Sequence, residues 1–285
     1  MKYLVFFLFS VLVLTSCIYS NHPIGMSPTI FRGTPAWKAV KAIMKDDTCA
    51  LAKELNINPD LRHVTDPYYG HTILSTAILN NKVKSVEKLL KFGFDPNYIN
   101  DSLNVIRASP VIDAVNFAST SPKILELVLK YGGDPNAYQA FSKYDGELRP
   151  FGRHAITFVA EYHDIEKIRL LLQYGAEVNP PFGSSPVNMA TYSSIENLLY
   201  LLEHGADPYE KFYYDVDSIE YKTVADRLRL FIFPLDSKEY QVKLKVIKFL
   251  EDKGLDYKET KIPDRILEQI KYEYPETWEE YIKVY

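Results

Sequence analysis

The chain has 285 residues, with 47% apolar side chains, 14% aromatic ones and a formal net charge of −4. So mild an acidity argues against nucleic-acid binding as a main role. The length is large for one compact core but suits an array in which each unit packs only on its neighbours.

Residues 1–20, MKYLVFFLFSVLVLTSCIYS, carry one early lysine and an apolar run from Tyr3 to Phe9 that resumes from Val11 to Leu14. The run is too short to span a bilayer comfortably and has the length of a signal-peptide core. Leu14-Thr15-Ser16-Cys17 resembles the lipobox of bacterial lipoproteins. That resemblance implies removal of residues 1–16, acylation of Cys17 and stable anchoring by several acyl chains. It also implies an outer-membrane lipoprotein facing the periplasm, because Ile18-Tyr19-Ser20 carry no acid after the cysteine. Once Lys2 is lost, 32 Lys+Arg face 37 Asp+Glu and the net charge is −5. Residues 17–33 read as the lipidated cysteine and a tether, with Pro23, Gly25, Pro28 and Gly33 and little periodicity. With Cys17 lipidated, Cys49 has no intramolecular disulfide partner, and it is expected as a small buried residue on a helix.

From Thr34 a single unit recurs. Thr34-Pro35-Ala36-Trp37-Lys38-Ala39 opens a degenerate copy that closes near Asn58-Pro59-Asp60. Thr72-Ile73-Leu74-Ser75-Thr76-Ala77 leads through Val86, Leu89 and Leu90 to Phe92-Gly93-Phe94-Asp95-Pro96-Asn97. Ser109-Pro110-Val111-Ile112-Asp113-Ala114 leads through Leu125, Leu127, Val128 and Leu129 to Tyr131-Gly132-Gly133-Asp134-Pro135-Asn136. Residues 155–160 lead through Leu170, Leu171 and Leu172 to Tyr174-Gly175-Ala176-Glu177-Val178-Asn179. The clearest copy starts at Ser185-Pro186, passes Ala190, Leu198, Leu199, Leu201 and Leu202, and stops at Gly205-Ala206-Asp207-Pro208. Residues 223–228 open a sixth, which closes at Leu250 and Lys253-Gly254-Leu255-Asp256.

In this unit a serine or threonine caps a first helix and proline fits its first turn. A leucine stripe marks a second helix, glycine supplies the left-handed residue that ends it, and Asp-Pro turns the chain. These residues resemble the ankyrin repeat, whose pattern is T-P-L-H-x-A, a leucine pair and then G-A-D-P-N. The resemblance implies an all-α ankyrin-repeat solenoid of about six helix-turn-helix repeats over residues 34–260. The marker positions are Ala39, Ala77, Ala114, Ala160, Ala190 and Leu228, spaced 30 to 46 residues apart against about 33 in the family. Extra residues therefore sit between repeats, chiefly at 141–151 and 212–221. Pro263 begins a last helix, Pro275 interrupts it, and Trp278, Tyr281 and Ile282 continue it. Residues 261–285 are expected as capping helices over the last apolar face.

Residues for chemistry are sparse. There is no glycine-rich phosphate loop, no G-x-S-x-G and no H-E-x-x-H, and the six histidines show no ligand spacing. No cofactor, metal or small-molecule substrate is expected. An enzyme remains an alternative reading, with a site in the insertions around Arg149, Arg153, His154, Asp215 and Asp217.

By resemblance, partners bind the concave face built from the loop tips before each helix pair and the exposed side of the first helix. Counted from the marker alanines, its candidate residues are Tyr68, Tyr69, His71, Asn80, Asn116, Phe117, Phe151, His154, Tyr162, His163, Phe182 and Tyr192. Tyrosine and phenylalanine suit interface anchors, and they also serve to pack adjacent loops. The expected function is a non-enzymatic, lipid-anchored protein-binding module of the bacterial envelope, in concrete form an immunity protein that neutralises a toxin. The alternative is a periplasmic scaffold or stress-protection factor.

Overall fold

The computed structural model describes residues 27–99, 108–140, 152–162, 164–211, 215–216, 219–220 and 223–285. The expected signal peptide, Cys17 and most of the tether lie outside the described residues. The chain is all-α in class, with two very short ribbons, and it divides into two compact units: 1–134 with 142–146, and 135–141 with 147–285.

The first unit holds a 3-10 turn, Pro28–Phe31, and three helical pairs: α1 (Trp37–Met44) with α2 (Thr48–Ile57), α3 (Ile73–Leu79) with α4 (Val83–Lys91), and α5 (Pro110–Val115) with α6 (Pro122–Lys130). First helices pack in one row, α1 on α3 and α3 on α5; second helices pack in another, α2 on α4 and α4 on α6. The two rows differ in character because their surroundings differ. Residues 73–78 of α3 and 110–115 of α5 are all buried, whereas α4 and α6 keep lysines on their outer sides.

Local chemistry sets the ends of these helices. Thr72, Ser109 and Ser121 each accept a first-turn amide, and Pro110 and Pro122 fill first-turn positions. Gly93 and Gly132, with φ of +81° and +94°, end α4 and α6. Gly133 acts differently from its neighbour: a Cβ there would lie 2.8 Å from Val111 Cγ2, so close packing excludes a side chain. Cys49, expected inside, is exposed on α2.

Polar bridges join successive pairs. Asp46 and Asn81, in the turns within the first two pairs, both have positive φ. Asp46 Oδ1 accepts from the Ser85 amide and hydroxyl at 2.8 and 2.7 Å, and Asn81 Oδ1 accepts from the Ser121 amide at 3.0 Å. At the other end of the second helix, Asn97 donates to the Gly132 carbonyl at 2.8 Å and accepts from the Asp134 amide at 2.7 Å.

The second unit repeats the arrangement with α7 (Ala155–Glu161) and α8 (Ile165–Gln173), α9 (Pro186–Ser193) and α10 (Ile195–Glu203), and α11 (Val224–Leu228) and α12 (Lys238–Asp252). Here α9 packs on both α7 and α11, and α10 on both α8 and α12. Asn136 accepts from the Glu177 amide at 2.8 Å, and Asn179 reaches both the Gly205 carbonyl and the Asp207 amide at 2.9 Å. Tyr209 stands where the next asparagine would, and its hydroxyl donates to the Lys253 carbonyl. All six marker residues, Ala39, Ala77, Ala114, Ala160, Ala190 and Leu228, are fully buried on the six first helices.

Where the sequence reading had only insertions, the flanks pair as ribbons. β1 (Tyr138–Ala140) runs antiparallel to β2 (Gly152–His154), and β3 (Asp215–Val216) to β4 (Ile219–Glu220). The segment 261–285 forms α13 (Asp264–Glu273) and α14 (Trp278–Val284), whose Ile266, Ile270 and Tyr281 join Tyr285 in one apolar cluster with Leu230 and Ile232.

Beside this cluster two basic side chains are buried. Arg229 donates to the backbone oxygens of Tyr285 and Tyr257 at 2.6 and 2.9 Å and to Thr260 Oγ1 at 3.0 Å, with its guanidinium 3.8 Å from the Tyr257 ring centre. Lys243 Nζ donates to the Phe231 carbonyl at 2.9 Å and lies 3.6 Å from the Tyr285 ring centre. Burial, reinforced by the charge of Arg229, pushes the Lys243 ammonium down to about 6. Burial moves the phenols of Tyr257, Tyr281 and Tyr285 the other way, well above their ordinary value.

Replacing Asn179 by alanine removes both its bridges and lowers stability by about 1–2 kcal/mol, read from urea unfolding. Lys243 holds a proton in the unfolded chain up to its ordinary pKa but loses it in the folded one above about 6. Its contribution to stability therefore grows as pH rises from about 6 and is lost as pH falls back toward that value. In Lys243→Met the rise in unfolding free energy between pH 7 and 9 shrinks by up to about 1.4 kcal/mol per pH unit. An unchanged slope contradicts a neutral amine.

Candidate functional site

The loop before α3 is built around one carboxylate. Asp66, 1% exposed, accepts at Oδ1 from the amides of Tyr68 and Tyr69 at 2.8 and 2.7 Å, and at Oδ2 from His71 at 2.7 Å. A bridge between Thr65 and Thr72 closes the loop. Tyr68 is left 66% exposed, and Tyr69 stacks on His71 with ring centres 5.8 Å apart. The structure thus brings three of the candidates together on one stiff turn.

A second acid lies beneath. Asp113 of α5 is buried, and burial raises its carboxyl above the usual range; the His71 charge and a hydrogen bond with Ser75 oppose that shift. Among the described residues, neither Asp113 Oδ2 nor His71 Nδ1 has a hydrogen-bond partner. His71 Nδ1 sits 3.8 Å from Asp66 Oδ2. The sequence reading missed both acids; the one available signal was an aspartate inside the apolar run Pro110-Val111-Ile112-Asp113-Ala114. Asn80 follows α3 and donates to the Thr76 carbonyl at 2.9 Å, while Asn116 and Phe117, half-buried, follow α5. Because α3 and α5 are neighbours, these residues occupy corresponding ends of adjacent helices.

In the second unit the candidates divide. His154, expected on the partner face, is only 6% exposed. Its Nδ1 lies 3.2 Å from the Asn136 carbonyl, and its ring is 4.9 Å from both Tyr138 and Phe182, which are 5.0 Å from each other. His154 is therefore a packing residue that supports the loop carrying Phe182. Phe182 itself is 48% exposed, as is Tyr192 of α9. Tyr192 is held by Arg227, whose guanidinium lies 4.2 Å from the ring centre and donates to its hydroxyl. Tyr162, at the end of α7, is half-buried, and burial raises its phenol, with Glu161 adding to the shift. Phe151 and His163 lie outside the described residues.

The constellation considered for an enzyme is only partly described, and the Asp215 side chain is not among the described residues. Arg149 and Asp217 lie outside them, Arg153 is paired with Glu161, and His154 is enclosed by aromatic rings. No group of three or more His, Cys, Asp or Glu among the described residues is arranged to hold a metal ion. In the first unit a depression of about 180 Å³ is lined by Leu55, Asn56, Pro59, Arg62, Phe92 and Phe94. None of the candidate residues lines it. No described helix is long and apolar enough to cross a membrane.

No protein-family model and no curated protein sequence matches the chain.

Asp66→Ala strips three backbone donors of their acceptor, at a cost of about 3 kcal/mol. The amides of Tyr68, Tyr69 and His71 then exchange with solvent much faster, while those of α6 do not change.

Proposed function

We propose that this chain is an array of ankyrin-like helical repeats that binds another protein through its loop tips, and that it is a lipoprotein held in the bacterial envelope by Cys17. The observation that carries the repeat reading is the asparagine bridge. Asn97 and Asn179 each span to the glycine carbonyl that ends the next second helix and to the amide two residues beyond it. A bridge of this kind needs successive pairs in one register, as a repeat requires.

Protein recognition is supported by the aromatic side chains at the loop tips and first helices. Tyr68 in the first unit, and Phe182 and Tyr192 in the second, stay exposed on backbone that buried groups hold rigid. Rigid, exposed aromatic anchors lose little freedom on binding. Within that reading the chain acts as an immunity protein, neutralising a toxin that reaches the envelope, where an anchored binder meets it.

The test begins with photo-crosslinking groups placed at Tyr68 and, separately, at Phe182 of the full-length chain in cells. One protein captured at either position, and bound by the purified chain, identifies the partner. Tyr68→Asp or Phe182→Asp then weakens binding at least tenfold with unchanged thermal unfolding. Unaltered affinity in both variants rejects the surface. A resident envelope enzyme as the partner, in place of a toxin, rejects the immunity role. Cys17→Ser moves the chain from the membrane to the soluble fraction if the lipoprotein reading holds.

A further inference from the structure

Charge is distributed very unevenly along this chain. All 37 acidic residues lie at or beyond Asp46, and residues 1–45 carry Lys2, Arg32, Lys38, Lys41 and Lys45 with no acid among them. From Asp46 onward 28 basic residues face 37 acidic ones, a net of −9.

The first helix gathers this positive charge on one side. At about 100° per residue, Trp37, Lys41, Lys45 and Lys38 fall within a sector of about 100°. The opposite side of α1 is Ala39, Val40, Ala42 and Ile43, all buried. Arg32, Lys38, Lys41 and Lys45 are exposed, and among the described residues none of them is paired with a carboxylate. Trp37 is half-buried, with the Arg32 guanidinium and the Lys41 ammonium each 5.8 Å from its ring. The two nearest acids are turned to other donors. Asp46 accepts from Ser85, and Asp47 caps α2 through the amides of Cys49 and Ala50 at 3.1 and 2.9 Å.

We propose that the first helical pair docks on an anionic lipid surface through the Arg32, Trp37, Lys38, Lys41 and Lys45 side of α1. An indole flanked by cations suits the headgroup level of a bilayer, where its ring and the lysine stems meet apolar surface while the charges stay wet. The acidic remainder of the chain is repelled by the same surface, which orients the molecule with its first pair toward the lipid. That this surface is the one entered by the acyl chains of Cys17 rests on the lipoprotein reading; the docking itself does not.

The experiment uses the chain from residue 18 onward, which carries no acyl group. Flotation with vesicles of phosphatidylcholine alone, or with about one third phosphatidylglycerol, reads binding directly. In a Trp278→Phe background Trp37 is the only tryptophan, and its emission reads insertion. Expected are flotation with the anionic vesicles only, a blue shift of Trp37, and loss of binding in about 0.5 M salt. Each of Lys38→Gln, Lys41→Gln and Lys45→Gln weakens binding about fivefold, with unfolding midpoints unchanged. Equal flotation with neutral vesicles, no flotation with anionic ones, or binding that survives all three substitutions overturns the proposal. So does equally tight, salt-sensitive binding to polyglutamate, which assigns the stripe to an acidic protein. Membrane fractionation of Cys17→Ser tests the anchor separately, so either idea can fail without the other.

Discussion

No helical pair in this chain can bury its own apolar surface. Residues 73–78 of α3 and 110–115 of α5 are buried on every side. They are stable only against a neighbouring first helix and a partner second helix. Hydrophobic burial is strong but has no direction, so it does not by itself set how one pair sits on the next. Register comes from the polar bridges. In α6 both ends are held, by Asn81 on the Ser121 amide and by Asn97 on Gly132 and Asp134. Spacing between pairs can vary because these contacts involve only the helix ends, and the described flanks of the added residues pair as ribbons.

The second unit ends on a different solution. Arg229 and Lys243 are buried against the Tyr257 and Tyr285 rings and backbone oxygens. Arg229 donates to three oxygens. Lys243 reaches one carbonyl and an aromatic face, and a desolvated amine with so few partners sheds its proton readily.

Aromatic side chains serve two purposes here, and burial separates them. His154 and Tyr138 pack as an inner pair that props Phe182 outward, and Asp66 does the same for Tyr68 with a carboxylate. Presentation of an exposed ring thus depends on a buried group that never meets the partner. His154 was legible in the sequence as a position beside a loop tip; its role as a support was not, because that role depends on Tyr138 and Phe182, which lie far from it along the chain.

Features whose physics is local are legible in the chain before it folds. Caps at Thr72, Ser109 and Ser185, glycine stops after the second helices, and small or apolar residues at the marker positions all act within one or two turns of chain. Tertiary structure alone decided which aromatics are exposed, that Cys49 faces out, that Asp113 and Lys243 are buried, and that β1 pairs with β2. Those outcomes depend on partners dozens of residues away, such as Arg229 and Tyr285, 56 positions apart. Burial and charge environment are properties of the assembled surroundings, and no short stretch of chain contains them.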